Sequence, residues 1–217
     1  KDNPMPESVK DRCARCYELR LRRTAELAGF IGADTPGAGN AIVTGCSLGA
    51  YHALQFALTR ADLFPVAICL SGNYDPTTWR AWGDRGDAAY FANPTHYVPN
   101  LGGDHLDWLR SRFFGILVAG QGAWETHPTG ALPSTRHMAH LLAEKGLNHE
   151  LQLWGHDVSH DWHWWQRQIA EYLPRFVLNN KLNPWYAYGR DIPHFARSTF
   201  NARWKAGKVK SEKPTER

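Results

Sequence analysis

A serine between glycines, then a carboxylate, then a histidine occur in that order along this chain, and together they are the parts of a nucleophilic acyl-transfer site. Ser47 stands in Gly45-Cys46-Ser47-Leu48-Gly49, between an apolar run and a helix-like run. In that setting a G-x-S-x-G is a nucleophile elbow, a tight turn that lifts the hydroxyl to the carboxyl end of a parallel sheet. The flanking glycines are expected where neighbouring backbone comes too close for a side chain. Serine is a poor nucleophile until a base removes its proton, and the base needs an acid partner to hold its tautomer and stabilise the imidazolium.

The acid and the base each have several candidates. Glu125 follows the apolar segment Phe113 to Ala119, and the histidines of Gly155-His156-Asp157-Val158-Ser159-His160-Asp161-Trp162 follow the segment that ends at Trp154. His160 is the favoured base, because it stands at the mouth of the last helix, where a loop can swing its ring towards Ser47. His156, directly after the strand, is the alternative or a residue behind the base, and His163 reads as a helix or surface histidine. Asp157, in the same short loop as the base, and Asp75, at the end of the second strand, compete with Glu125. A lone acid after a strand is also a common helix cap. The backbone N–H of Leu48, next to the nucleophile, is one expected oxyanion donor. Nothing before Ala41 reads as a strand that would carry the second.

These residues need elements to place them. Ala41 to Thr44, Phe64 to Ser71, Phe113 to Ala119 and Glu150 to Trp154 read as short strands, and the most apolar of them suit a sheet covered on both faces. Between them lie helix patterns at Ala50 to Thr59 and Ser134 to Lys145, the latter stopping at Gly146, with a last helix from Trp165 to Leu178. Strands alternating with helices predict an α/β fold with a mostly parallel sheet and right-handed crossovers. Ahead of this, Glu7 to Ala28 has the spacing of an amphipathic helix, and Asp34 to Asn40 is a turn. Thr77 to Asp107 lacks strong periodicity and reads as an excursion over the site.

Composition bounds the reading. The chain has 217 residues, 43% hydrophobic and 21% charged, which suits a globular domain with a sizeable core. Ten Trp point to an aromatic pocket or partner surface beside ordinary core positions. The net charge of +4 comes from the tail, where Lys181 to Arg217 hold nine basic residues against Asp191, Glu212 and Glu216. Such a tail reads as a solvated extension, and nucleic acid is not an expected partner. Cys13 and Cys16 form a C-x-x-C with no second ligand pair, and Cys46 and Cys69 fall in apolar strands as buried thiols. No metal site, organic cofactor or disulfide framework is expected, which fits a reducing, cytoplasmic setting. No apolar run reaches membrane-spanning length.

The segments GCSLGAYHAL, LFPVAICLSGNYD, AAYFANPTHYVPNL, ILVAGQGAWE and LQLWGHDVSHDWHWW resemble the esterase branch of the α/β hydrolases, related to esterase D, enterochelin esterases and mycolyltransferases. The resemblance spans roughly residues 1–178 and is most specific in HDWHWW, similar to an H-D-W-x-x-W whose first histidine is catalytic. It implies a three-layer α/β-hydrolase-like sandwich, with Ser47 as nucleophile, His160 as base, Glu125 as acid and a small-molecule ester as substrate. Family members carry further strands and an oxyanion loop ahead of the segment that residues 1–30 resemble. The resemblance therefore implies an N-terminally truncated sheet, either a fragment or one completed by a partner chain or self-association at its open edge. Residues 179–217 form a basic, aromatic C-terminal extension outside the resemblance. An ester hydrolase is thus expected; an acyltransferase and a catalytically weak, hydrolase-like interaction subunit are the alternatives.

Overall fold

A computed structural model describes residues 41–79, 86–178 and 181–182 of the chain. The expected helix at Glu7 to Ala28, the turn at Asp34 to Asn40, the Cys13/Cys16 pair and nearly all of the basic extension lie outside the described residues.

Strand β1 (Ile42–Cys46) leads into helix α1 (Leu48–Thr59), and β2 (Val66–Leu70) follows. Short helices α2 (Asp87–Ala92) and α3 (Pro94–Tyr97) precede α4 (Gly103–Arg112) and β3 (Phe114–Ala119). Then come α5 (Ala131–Glu144), β4 (Asn148–Leu153) and α6 (Trp162–Tyr172). The two-residue strands β5 (Val177–Leu178) and β6 (Lys181–Leu182) pair antiparallel. The four main strands form one sheet in the order β1-β2-β3-β4, every pair parallel.

Alternation along the strands divides two cores. Ala67, Cys69 and Leu117 face Leu54, Leu58, Met138 and Leu142 on one side, with Leu109 and Phe113. Val66, Ile68, Leu70, Ile116 and Val118 face Trp165, Tyr172 and Phe176 on the other. That is the period-2 consequence of a pleated strand, and it yields three layers, with α1 and α5 on one face and α6 on the other. β2 and β3 are buried at every position, whereas β1 and β4 are largely half-buried as outer strands of the described sheet. Burial of a side chain such as Leu54 or Leu58 stabilises the fold by about 2 kcal/mol each.

The element boundaries differ from the expected ones for local reasons. Phe64 donates its N–H to the Arg60 carbonyl at 2.8 Å and so belongs to the turn that ends α1, not to β2. α1 begins two residues before the expected Ala50, directly at the elbow. At the end of α5, Gly146 takes φ +63 and Leu147 donates back to Leu142 at 2.9 Å, which lets β4 start at Asn148. α6 starts at Trp162 and stops at Tyr172, because Pro174 cannot continue a helix. The excursion from Thr77 to Asp107, which lacks strong periodicity, holds α2, α3 and the first half of α4. Asp75 and Asn93 cap its first turns by accepting the N–H groups of Thr77 and Thr95. Gln55 of α1 binds it from below, donating to the Ala92 carbonyl at 2.7 Å and accepting from Tyr97 Oη at 2.7 Å. Among the described residues no helix is long and apolar enough to cross a membrane.

Candidate active site

The carboxyl ends of the strands carry the site. The register that pairs Cys46 with Leu70 puts Ser47 and Ser71 side by side just past β1 and β2. Ser47 has φ 53 and ψ −119, a sparsely populated conformation for a residue with a Cβ. Its N–H donates to the Leu70 carbonyl at 2.9 Å, and its own carbonyl accepts from Ala50 at 3.0 Å, so the turn is tied to strand and helix at once. A Cβ added at Gly45 would lie 2.3 Å from the carbonyl carbon and oxygen of Gly49, which is why the first glycine is required. Gly49 differs from expectation: a Cβ there would meet nothing within 4 Å, because the crowding falls on the Gly45 side of that contact.

Glu125 lies beyond β3 and is fully buried. Its Oε1 accepts the Ser71 hydroxyl at 2.6 Å and the Gly120 N–H at 3.3 Å. His160 stands beyond β4 with its side chain 10% exposed. Its Nε2 is 2.9 Å from Ser47 Oγ, and its Nδ1 is 3.5 Å from Glu125 Oε2. The loops that carry acid and histidine are joined through their backbones: Gln121 donates to Gly155 at 3.2 Å, Gly122 to Val158 at 2.9 Å, and His160 to Ala123 at 3.0 Å. Contact is so close that a Cβ at Gly120 would fall 2.1 Å from the Val158 oxygen, and one at Gly122 would fall 2.7 Å from the His156 oxygen.

Of the sequence candidates, Ser47, Glu125 and His160 come together in one chain of contacts. His156 and Asp157 sit exposed in the turn after β4, and His163 is exposed on α6 against Trp164. The Asp75 carboxylate is occupied by Thr77 and Asn93. Leu48 is the first residue of α1, where a helix leaves its N–H groups without intrahelical acceptors, and its side chain is exposed beside Ser47. Cys69 is buried as expected, and burial pushes its thiol up to about 12. Cys46 is only partly buried; burial raises its thiol too, so the cysteine next to Ser47 stays protonated and is a poor competing nucleophile. Among the described residues no three side chains of His, Cys, Asp and Glu form a metal-binding group.

Two participants were not foreseen. Trp165 donates its indole N–H to Ser71 Oγ at 3.1 Å and meets the His160 ring edge-on, with centroids 4.9 Å apart. Ser71 had one available signal, its place at the carboxyl end of an apolar strand next to that of Ser47. Trp165 had only its nearness to His160 in HDWHWW.

The family described as "Putative esterase" matches residues 9–176. Similar solved structures include a ferulic acid esterase, at 18% identity and TM-score 0.53, over 69% of this chain and 57% of that one. MPT51 (FbpC1) of Mycobacterium tuberculosis is similar at 17% identity and TM-score 0.53, over 70% of this chain and 65% of that one. An S-formylglutathione hydrolase from Agrobacterium tumefaciens is similar at 17% identity and TM-score 0.54, over 69% and 53%. These likenesses show the α/β-hydrolase-type fold, and the chain spans less than two thirds of the length of each of the three. No curated protein sequence matched the chain.

Proposed function

The chain belongs to the Esterase family, and from that premise we propose that it hydrolyses small carboxylic esters through an acyl-enzyme on Ser47. The observation that carries this reading is the 2.9 Å separation of His160 Nε2 from Ser47 Oγ, made between residues 113 apart in the sequence. A serine held at positive φ in a strand-to-helix turn, within hydrogen-bond reach of an imidazole, has the arrangement that activation by a base requires.

In the proposed reaction Ser47 Oγ attacks the ester carbonyl carbon while its proton passes to His160 Nε2. The carbonyl oxygen becomes an oxyanion, and the Leu48 N–H at the start of α1 helps to hold it. Collapse breaks the carbon–oxygen bond to the alcohol, which leaves with the proton from His160. Water then attacks the acyl-serine, giving its proton to the same nitrogen, and the carboxylic acid leaves as Ser47 recovers its hydrogen. Glu125 accepts from Nδ1, which fixes the tautomer that presents a lone pair to Ser47 and stabilises the imidazolium between steps. The 3.5 Å Nδ1 to Oε2 contact is long for such a bond and is of the kind that shortens when positive charge develops on the ring.

Incubation with a fluorophosphonate probe, followed by peptide mapping, tests the assignment. The adduct is expected on Ser47 in the wild type and absent from Ser47→Ala and His160→Ala. Folded wild type that takes no label would overturn it.

A further inference from the structure

We propose that Ser71 is a positioning residue for Glu125 and that Trp165 holds its hydroxyl in place for that role, an inference that rests on the Ser47, His160 and Glu125 reading above. Ser71 is fully buried just past β2, with φ 51. Its Oγ touches two partners, Trp165 Nε1 at 3.1 Å and Glu125 Oε1 at 2.6 Å. An indole N–H donates and never accepts, so Ser71 Oγ accepts from Trp165. Its single hydrogen is then left for Glu125, whose carboxylate accepts only.

The polarity propagates through the site. Two donors, the Ser71 hydroxyl and the Gly120 N–H, hold Oε1. The other oxygen, Oε2, is the one that faces His160 Nδ1. With its proton on Nδ1, His160 offers the Nε2 lone pair to Ser47. Donors thus converge on the acceptor-only Glu125 from both sides, Ser71 fixing Oε1 and leaving Oε2 for Nδ1, and the indole that holds the Ser71 hydroxyl also packs T-shaped against the His160 ring. The backbone at Ser71 supports this role. A serine at φ 51 is strained, and such strain persists where the surroundings over-determine it. Here they do so through the two Oγ bonds and a third from Ser71 N–H to the Val118 carbonyl at 2.7 Å.

Ser71→Ala and Trp165→Phe test the proposal, the second keeping an aromatic ring in the core if the first does not fold. With p-nitrophenyl acetate, kcat is expected to fall about tenfold to a hundredfold in Ser71→Ala and severalfold in Trp165→Phe, with KM within about twofold. Nitrogen-15 shifts of the His160 ring, read at about pH 8.5 where an ordinary histidine is neutral, are expected to report the Nδ1–H tautomer in wild type. A mixture of tautomers is expected in the variants. A merely structural Ser71 would lower the melting temperature and leave the tautomer and kcat untouched, and that result overturns the proposal. The ring shifts need no turnover, so a wild type that neither hydrolyses ester nor takes the fluorophosphonate removes the hydrolase reading while the shifts still decide the positioning.

Discussion

Ser47 and Ser71 end neighbouring parallel strands in the same way, at φ 53 and φ 51, yet one hydroxyl reaches His160 and the other is buried against Glu125. The carboxyl end of the sheet thereby supplies a serine to each end of the Glu125–His160 pair.

If Glu125 holds the base, Glu125→Gln replaces a pure acceptor with a group that also donates, and the His160 tautomer loses its anchor. Turnover of a p-nitrophenyl ester is expected to fall by about a thousandfold or more, with thermal stability changed far less. Full turnover by the folded variant would exclude Glu125 from the site.

The conformation of Ser47 costs stability that the fold tolerates, about 1–3 kcal/mol. Ser47→Gly removes most of that cost, so it is expected to melt above Ser47→Ala, with ester turnover expected from neither. Calorimetry of the two variants side by side gives the comparison, and equal melting temperatures would show that the elbow holds no such strain.

The two glycines of the elbow are expected to respond in opposite ways. Gly45→Ala drives a methyl to 2.3 Å from the Gly49 backbone and should cost about 3 kcal/mol or more. Gly49→Ala enters open space at the start of α1 and should be neutral or slightly stabilising, by up to about 1 kcal/mol. Urea midpoints measured on both variants check the asymmetry.

His149, the second residue of β4, is buried, and burial lowers its pKa from 6.5 to about 4. Its neutral ring sits 2.9 Å from the Leu147 carbonyl through Nδ1. The unfolded chain therefore binds this proton first as the pH falls, so stability is full above about pH 6.5 and declines towards pH 4. The loss is on the order of 3 kcal/mol from this one group. Unfolding titrations at pH 7 and pH 4.5 should show that slope in wild type and a shallower one in His149→Leu.

Much of the candidate site was legible in the sequence because its residues follow the strand ends. Ser47, Glu125 and His160 each sit within a few residues of an apolar run, and parallel topology brings those positions to one edge. Ser71 and Trp165 were not legible, since a serine that closes an apolar strand and a tryptophan on a helix are ordinary core residues by type, and only the fold brings them to 3.1 Å. The helices of the excursion after Thr77 were hidden for another reason. Its first helices are too short to display a period, and the caps at Asp75 and Asn93 that start them resemble ordinary loop chemistry.

Three backbone hydrogen bonds join residues 121–123 to residues 155–160. The loops that carry Glu125 and His160 are therefore one cassette, and the turn that carries Ser47 is a separate part set against it. A redesign that lengthens, swaps or shuffles either loop alone would break that cassette, whereas exchanging both together should carry the pair intact onto another sheet of the same spacing.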